Sequence, residues 1–176
     1  MTDPATGPAI GRPRQIIAAA RALLEEEGPE ALTMRRLADR VGIKAPSLYK
    51  HFPDKSCVVT ALAGEMLQET ADVLEAAEKA TPGSFPALAD AYRTYALAHP
   101  HLYLLATGGR PDRAALATGA EDTAAAPLLR AVGGDESRAR AAWAFAHGMV
   151  VLELHGRFPP GADLTAAWDT GVAAFA

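Results

Sequence analysis

The stretch from Leu37 to Tyr49 constrains this chain more than any other. Leu37-Ala38-Asp39-Arg40-Val41-Gly42-Ile43-Lys44-Ala45-Pro46-Ser47-Leu48-Tyr49 has room for two short helices and a tight turn, and its residue types suit helices that cross steeply. Ala38 is small where the second helix would press closest. Gly42 can take the positive φ that a sharp helix exit requires. Leu37, Val41, Ile43 and Leu48 supply a miniature core, so the polar side chains of the second helix are left pointing outward. Pro46 is tolerable there because first-turn amides have no intrahelical partner in any case.

The rest of the chain also reads as helix. Ile16, Ile17, Ala20, Leu23 and Leu24 recur at helical spacing and predict a helix over 13–27, stopped by Gly28-Pro29. Thr33 suits the N-cap of a helix over 34–40, although Arg36 stands where a capping box would want Glu. A third helix is expected over 44–51, closed by Phe52-Pro53. Asp54 then caps a long helix, extending to residue 79, whose Val58, Val59, Leu62, Met66, Leu67, Val73 and Leu74 form one apolar stripe. Further helices are expected over 84–98, 101–107, 121–132, 136–156 and 163–175, with no strand pattern of useful length. The predicted fold is all-α: a three-helix headpiece over 12–56, preceded by a disordered arm over 1–11 and joined by the long helix to a body over 57–176.

Charge is distributed unevenly along this plan. Residues 1–56 carry nine Lys and Arg against seven Asp and Glu, whereas the remainder carries eight against fourteen. Residues 33–55 alone hold six cations and two acids, including three of the four lysines of the chain. A solvated basic face is the plainer explanation of such a cluster. The overall charge of −4 argues against a generic polyanion binder, so any nucleic acid must be met locally. The single cysteine, Cys57, cannot form an internal disulfide, and no basic segment leads into a long apolar run, which points to a cytoplasmic protein and away from membrane insertion.

Thr33-Met34-Arg35-Arg36-Leu37-Ala38 through Gly42, then Ser47-Leu48-Tyr49-Lys50-His51-Phe52, then Asp54-Lys55, resembles the DNA-binding signature of the TetR family of bacterial regulators. The resemblance covers roughly residues 12–60 and rests on several side chains at fixed offsets. It implies that Thr33, Tyr49, His51 and Lys55 contact backbone phosphate, and that Lys44, Ala45, Pro46 and Ser47 face the groove. The chemistry agrees in kind: hydroxyls, an imidazole and a lysine at a helix start are ordinary phosphate partners, and Lys44 could pair with guanine O6/N7. Arg35 and Arg36 are further candidates, as is Lys50, which equally suits a surface kept soluble.

The same resemblance implies a ligand chamber in the later helices, and a four-helix dimer interface made by the last two with those of a second copy. Helix 136–156 is nearly uninterrupted in apolar character from Ala141 to Leu154 and so needs a cover. Leu152, together with Leu164, Trp168 and Val172 on the final helix, are the expected interface residues. Both helices could instead pack inside one chain. Trp143 with His147-Gly148 resembles a tryptophan and histidine-glycine pattern found in one subgroup of these regulators. Tyr92, Tyr103, Trp143, His147 and Met149 are the candidate ligand contacts, though aromatics at helical spacing also suit a plain core and His147 a buried, hydrogen-bonded histidine.

No cofactor or metal is expected. His147 and His155 share a helix face, but eight residues separate the imidazoles by about 12 Å along the axis, too far for one ion. An enzyme using His99, His101, His147 or His155 is disfavoured, since no nucleophile or glycine-rich phosphate cradle accompanies them. The expected partners are double-stranded operator DNA, a mostly hydrophobic effector and a second copy of the chain. An interaction module that has lost DNA binding is the remaining alternative.

Overall fold

In the computed structural model, residues 11–175 are described, and their regular structure is helical throughout. In chain order the helices are α1 (Arg12–Glu27), α2 (Met34–Val41), α3 (Ala45–Tyr49), α4 (Lys55–Ala80), α5 (Phe85–Ala98), α6 (Pro100–Thr107), α7 (Ala120–Ala131), α8 (Glu136–Leu154) and α9 (Leu164–Val172). A 3-10 turn at Pro29–Ala31 links the first two. Apart from Gly11, which caps α1, the expected N-terminal arm lies outside the described residues.

Each start has a local cause. The Thr33 hydroxyl accepts from the Arg36 amide at 3.3 Å, the Asp54 carboxylate from the Cys57 amide at 3.0 Å, and Ser84, Asp135 and Asp163 cap α5, α8 and α9 in the same manner. With no Glu to complete a capping box, Arg36 pairs with Glu27 of α1. Gly42 ends α2 at φ +70°, and the Ile43 amide turns back onto the Ala38 carbonyl at 3.0 Å.

One apolar core runs through the molecule. Ile16, Ile17, Ala20, Leu23 and Leu24 of α1 join Leu37, Ala38, Leu48, Val58 and Leu62, and the cluster continues into Ala142, Ala146 and Val150 of α8. The long α4 is continuous through the expected boundary at 56–57 and connects headpiece to body as a rod of 26 residues.

Two expectations are corrected. The third helix is shorter than 44–51: Lys44 is extended and caps it, while Lys50 and His51 form the turn that follows. Trp168 and Val172 of α9, expected to face a second copy, are buried in the core of their own chain at 5 % and 9 % exposure. Trp168 packs edge-on against Phe145 at 5.5 Å, and Arg93 lies over its ring while holding Glu153 at 2.7 Å. Aromatic partners and a paired cation within the chain consume the face of α9 that carries Trp168 and Val172, while Thr165, Ala166, Asp169 and Thr170 stay exposed. By contrast, Leu152 remains exposed at 42 % and Leu164 is half-buried.

Candidate nucleic-acid interface and ligand cavity

The headpiece positions α3 by very little material. Five residues cannot hold a helix by themselves. Leu48, fully buried, is the anchor, and the Ser47 and Leu48 amides bond the Lys44 carbonyl at 2.8 and 3.3 Å. Everything else on α3 is turned outward: Ala45, Pro46, Ser47 and Tyr49 are exposed, with Lys44 before them and Lys50, His51 and Lys55 after. Thr33, Arg35 and Arg36 of the preceding helix are exposed as well. The face therefore gathers cations, hydroxyls and an imidazole in front of a helix whose only inward side chain is apolar. Tyr49 is 48 % exposed, whereas Phe52 packs against the core.

Not every cation of this region is available to a partner. Arg36 is held by Glu27, and Arg40 by Glu26 at 2.6 Å, so these two brace α2 against α1. The bracing acids carry no pattern that sequence reasoning could have used; only the crossing of α1 and α2 brings them there.

In the body, a cavity of about 520 Å³ lies between α4, α5, α7 and α8. Met66, Leu74, Phe85, Leu88, Leu128 and Ala146 give it apolar walls, Thr70, Tyr92 and Trp143 bring polar atoms to it, and Arg113, Glu121 and Arg140 add charged groups to its lining. Of the candidate ligand contacts, Tyr92 and Trp143 line this cavity. Tyr103 and His147 stand behind them: the Tyr103 hydroxyl is 2.7 Å from that of Tyr92 and 2.6 Å from His147 Nδ1, and Trp143 stacks on the His147 ring at 5.6 Å. Met149 does not line the cavity; it packs against the core from the far part of α8.

Burial governs the protonation of this relay. It raises the Tyr92 hydroxyl, pushes that of Tyr103 well above the usual phenol range and lowers His147, so the imidazole is held neutral and Tyr103 bonds an uncharged ring. Because folding depresses the His147 pKa, its contribution is present at neutral pH and is lost as pH falls below the unfolded value of about 6.5. Replacing Tyr103 by Phe should cost about 1–3 kcal/mol of unfolding free energy, because two polar groups lose their shared partner. Urea titration checks this, and a loss below about 0.5 kcal/mol would mean that water substitutes for the hydroxyl.

An all-helical body headed by two short crossing helices with an exposed polar face is the architecture of a DNA-binding transcriptional regulator. Residues 16–62 match the family described as bacterial regulatory proteins, tetR family, and residues 85–175 match the tetracyclin repressor-like C-terminal domain. The chain belongs to the TetR family. It is 32 % identical over 155 residues to an uncharacterised HTH-type transcriptional regulator of Mycobacterium tuberculosis, spanning 80 % of this chain and 69 % of that one. The class A tetracycline repressor from transposon 1721 of Escherichia coli is 47 % identical over 58 residues, which span 33 % of this chain and only 27 % of the repressor. Among solved structures, a protein of unknown function from Rhodococcus sp. RHA1 superposes with a TM-score of 0.76 at 28 % identity, covering 98 % of this chain and all of that one. A TetR variant from Acinetobacter baumannii AYE in complex with minocycline superposes at 0.63 with 27 % identity, over 94 % of each chain.

Among the described residues, no helix is long and apolar enough to cross a membrane.

Proposed function

We propose that this regulator is a cytoplasmic homodimeric repressor, whose two α3 helices enter adjacent major grooves of a pseudo-palindromic operator and whose 520 Å³ cavity takes a small hydrophobic effector that releases the DNA. The observation that carries the proposal is the exposed polar face of α3, with Lys44, Ala45, Pro46 and Ser47 aimed away from the buried Leu48. Lys44 and Ser47 read base edges in this arrangement. Thr33, Tyr49, His51 and Lys55 hold phosphates, with Arg35 and Lys50 beside them and Arg36 reaching the backbone only after leaving Glu27.

A second copy is the fitting cover for α8. Its core face, Ala142, Ala146 and Val150, is used within the chain, while Leu152 at 42 % leaves a large apolar side chain in solvent. The cavity walls favour an apolar or aromatic effector. The minocycline bound by the Acinetobacter relative is a precedent for a polycyclic ligand in this fold. Effector and operator must weaken each other by the same factor, because a ligand shifts an equilibrium only through its differential affinity for the two states.

The test is fluorescence anisotropy on an operator selected from random duplex DNA. Lys44→Ala should lose about 1–3 kcal/mol of affinity and relax base preference at one position, whereas Lys55→Ala should weaken all sequences and reduce the salt slope by about one. Wild-type affinity in both variants would remove the proposed interface.

A further inference from the structure

Where the headpiece abuts the body, three ionisable side chains meet with nothing between them. Glu25 comes from α1, His99 from the joint between α5 and α6, and His101 from the first turn of α6. The Glu25 carboxylate stands 3.9 Å from His99 Nδ1 and 4.0 Å from His101 Nδ1, beyond hydrogen-bond reach. Even so, Glu25 Oε1 and His101 Nδ1 are closed off from solvent and have no hydrogen-bond partner. Two buried polar atoms left unmatched in the same place cost free energy, and native structures rarely keep them.

The neighbouring charges do not relieve them. Glu26 and Glu27, next along α1, are engaged by Arg40 and Arg36 of α2. From α1, Arg21 is held by Glu69 of α4 at 2.8 Å, and Tyr95 of α5 donates to that same carboxylate at 2.8 Å. Glu65 of α4 also faces this space, its carboxyl pushed up by burial, while Arg21 holds Glu69 down. The Tyr95 ring lies 4.9 Å from that of His99. His101 Cε1 faces the end of α1, where a Cβ on Gly28 would meet it in ordinary van der Waals contact at 3.9 Å. The histidines are thus surrounded by three carboxylates and one committed guanidinium, at a cavity of about 860 Å³ that admits water. No group of three acids, histidines or cysteines among the described residues is placed to hold a metal ion.

We propose that Glu25, His99 and His101 form a proton-operated tie between the headpiece and the body. Histidine is the side chain whose charge ordinarily changes between pH 5 and 8. A proton taken up by either imidazole puts an N–H donor on a positive ring opposite the Glu25 carboxylate, and about 1 Å of closure makes the charge-assisted bond. The start of α6 is then drawn onto α1. Because the pair exists only while the imidazole is charged, its stabilisation is present on the acid side and is lost as pH rises. On the proposed DNA-binding reading, on which this consequence rests, the tie changes how freely α3 settles on its operator.

The test uses the full chain and reads its thermal unfolding midpoint at about pH 6 and about pH 8. Wild type should gain about 2–4 °C more on acidification than Glu25→Gln does. The comparison is between proteins because His147, lowered by burial, is present in both. His101→Gln guards against a general effect of removing the acid, and it should lose part of that increment, His99 keeping the rest, while His147 is left intact. Identical pH dependence in wild type and both variants would overturn the tie. Operator anisotropy at the same two pH values gives the second reading: affinity should change about fivefold more in wild type than in Glu25→Gln. A midpoint increment without that change overturns the link to DNA. Failure of wild type to bind duplex DNA at either pH overturns the DNA-binding proposal and leaves the tie standing.

Discussion

Replacing Leu48 by Ala should abolish operator binding while the body of the protein stays folded. Leu48 is fully buried and is the only inward side chain of a helix five residues long, so α3 has no second anchor. Its carbonyl also accepts from the His51 and Phe52 amides at 2.9 and 3.0 Å, which fix the turn that carries His51 toward the same face. Truncation removes apolar contact and leaves a cavity in the miniature core, a change that costs about 2–5 kcal/mol. The loss falls on the miniature core that Leu37, Ala38 and Leu48 share. Amide hydrogen exchange should therefore accelerate over residues 33–52 before it does so in α5 or α8. Slow exchange over that segment together with retained DNA affinity would show that α3 is held by something other than Leu48.

The second large effect is expected at Gly171. A Cβ built there would lie 2.1 Å from two ring carbons of Phe145, closer than real atoms approach, so the ring must move. It has little freedom to do so, since it packs edge-on against Trp168 at 5.5 Å and tilted against Phe175 at 6.0 Å. Helix propensity alone favours Ala over Gly by about 1 kcal/mol, so the two effects oppose each other. Overpacking should win and leave a net loss of about 1–3 kcal/mol in Gly171→Ala. Combining it with Phe145→Leu, which makes room, should recover part of that loss, and the double-mutant cycle measured by urea unfolding reports the coupling directly. Additive single losses would place the strain elsewhere. Because α9 sits on α8 through these rings, sedimentation velocity on the same variants also tests the proposed role of α8 in dimerisation.

Periodicity made the helices legible. The apolar stripe of α4, the stop at Gly28, the caps at Thr33 and Asp54 and the tight exit at Gly42 are local features, and each falls where a local argument puts it. The outward face of α3 was legible for the same reason, because a helix with one apolar anchor must expose the rest. Helix ends were less so. Lys50 and His51 continue the helical pattern in sequence, but the chain turns there because Phe52 is drawn into the core.

Pairing between distant segments was not legible. Glu27 and Arg36, Arg93 and Glu153, and Tyr103 and His147 are joined across 9, 60 and 44 residues, and no spacing rule links such partners. Apolar spacing put Trp168 and Val172 on one face of α9 but could not say whether that face met its own chain or another. The amino-acid sequence by itself determined an all-helical chain with a helix-turn-helix at its N-terminal end, because backbone hydrogen bonding, capping and hydrophobic periodicity act within a few residues. Only the tertiary structure decided which cations are free, which aromatics wall the cavity and that Glu25 faces two histidines, because burial and electrostatic pairing depend on distances that the packing of whole helices sets.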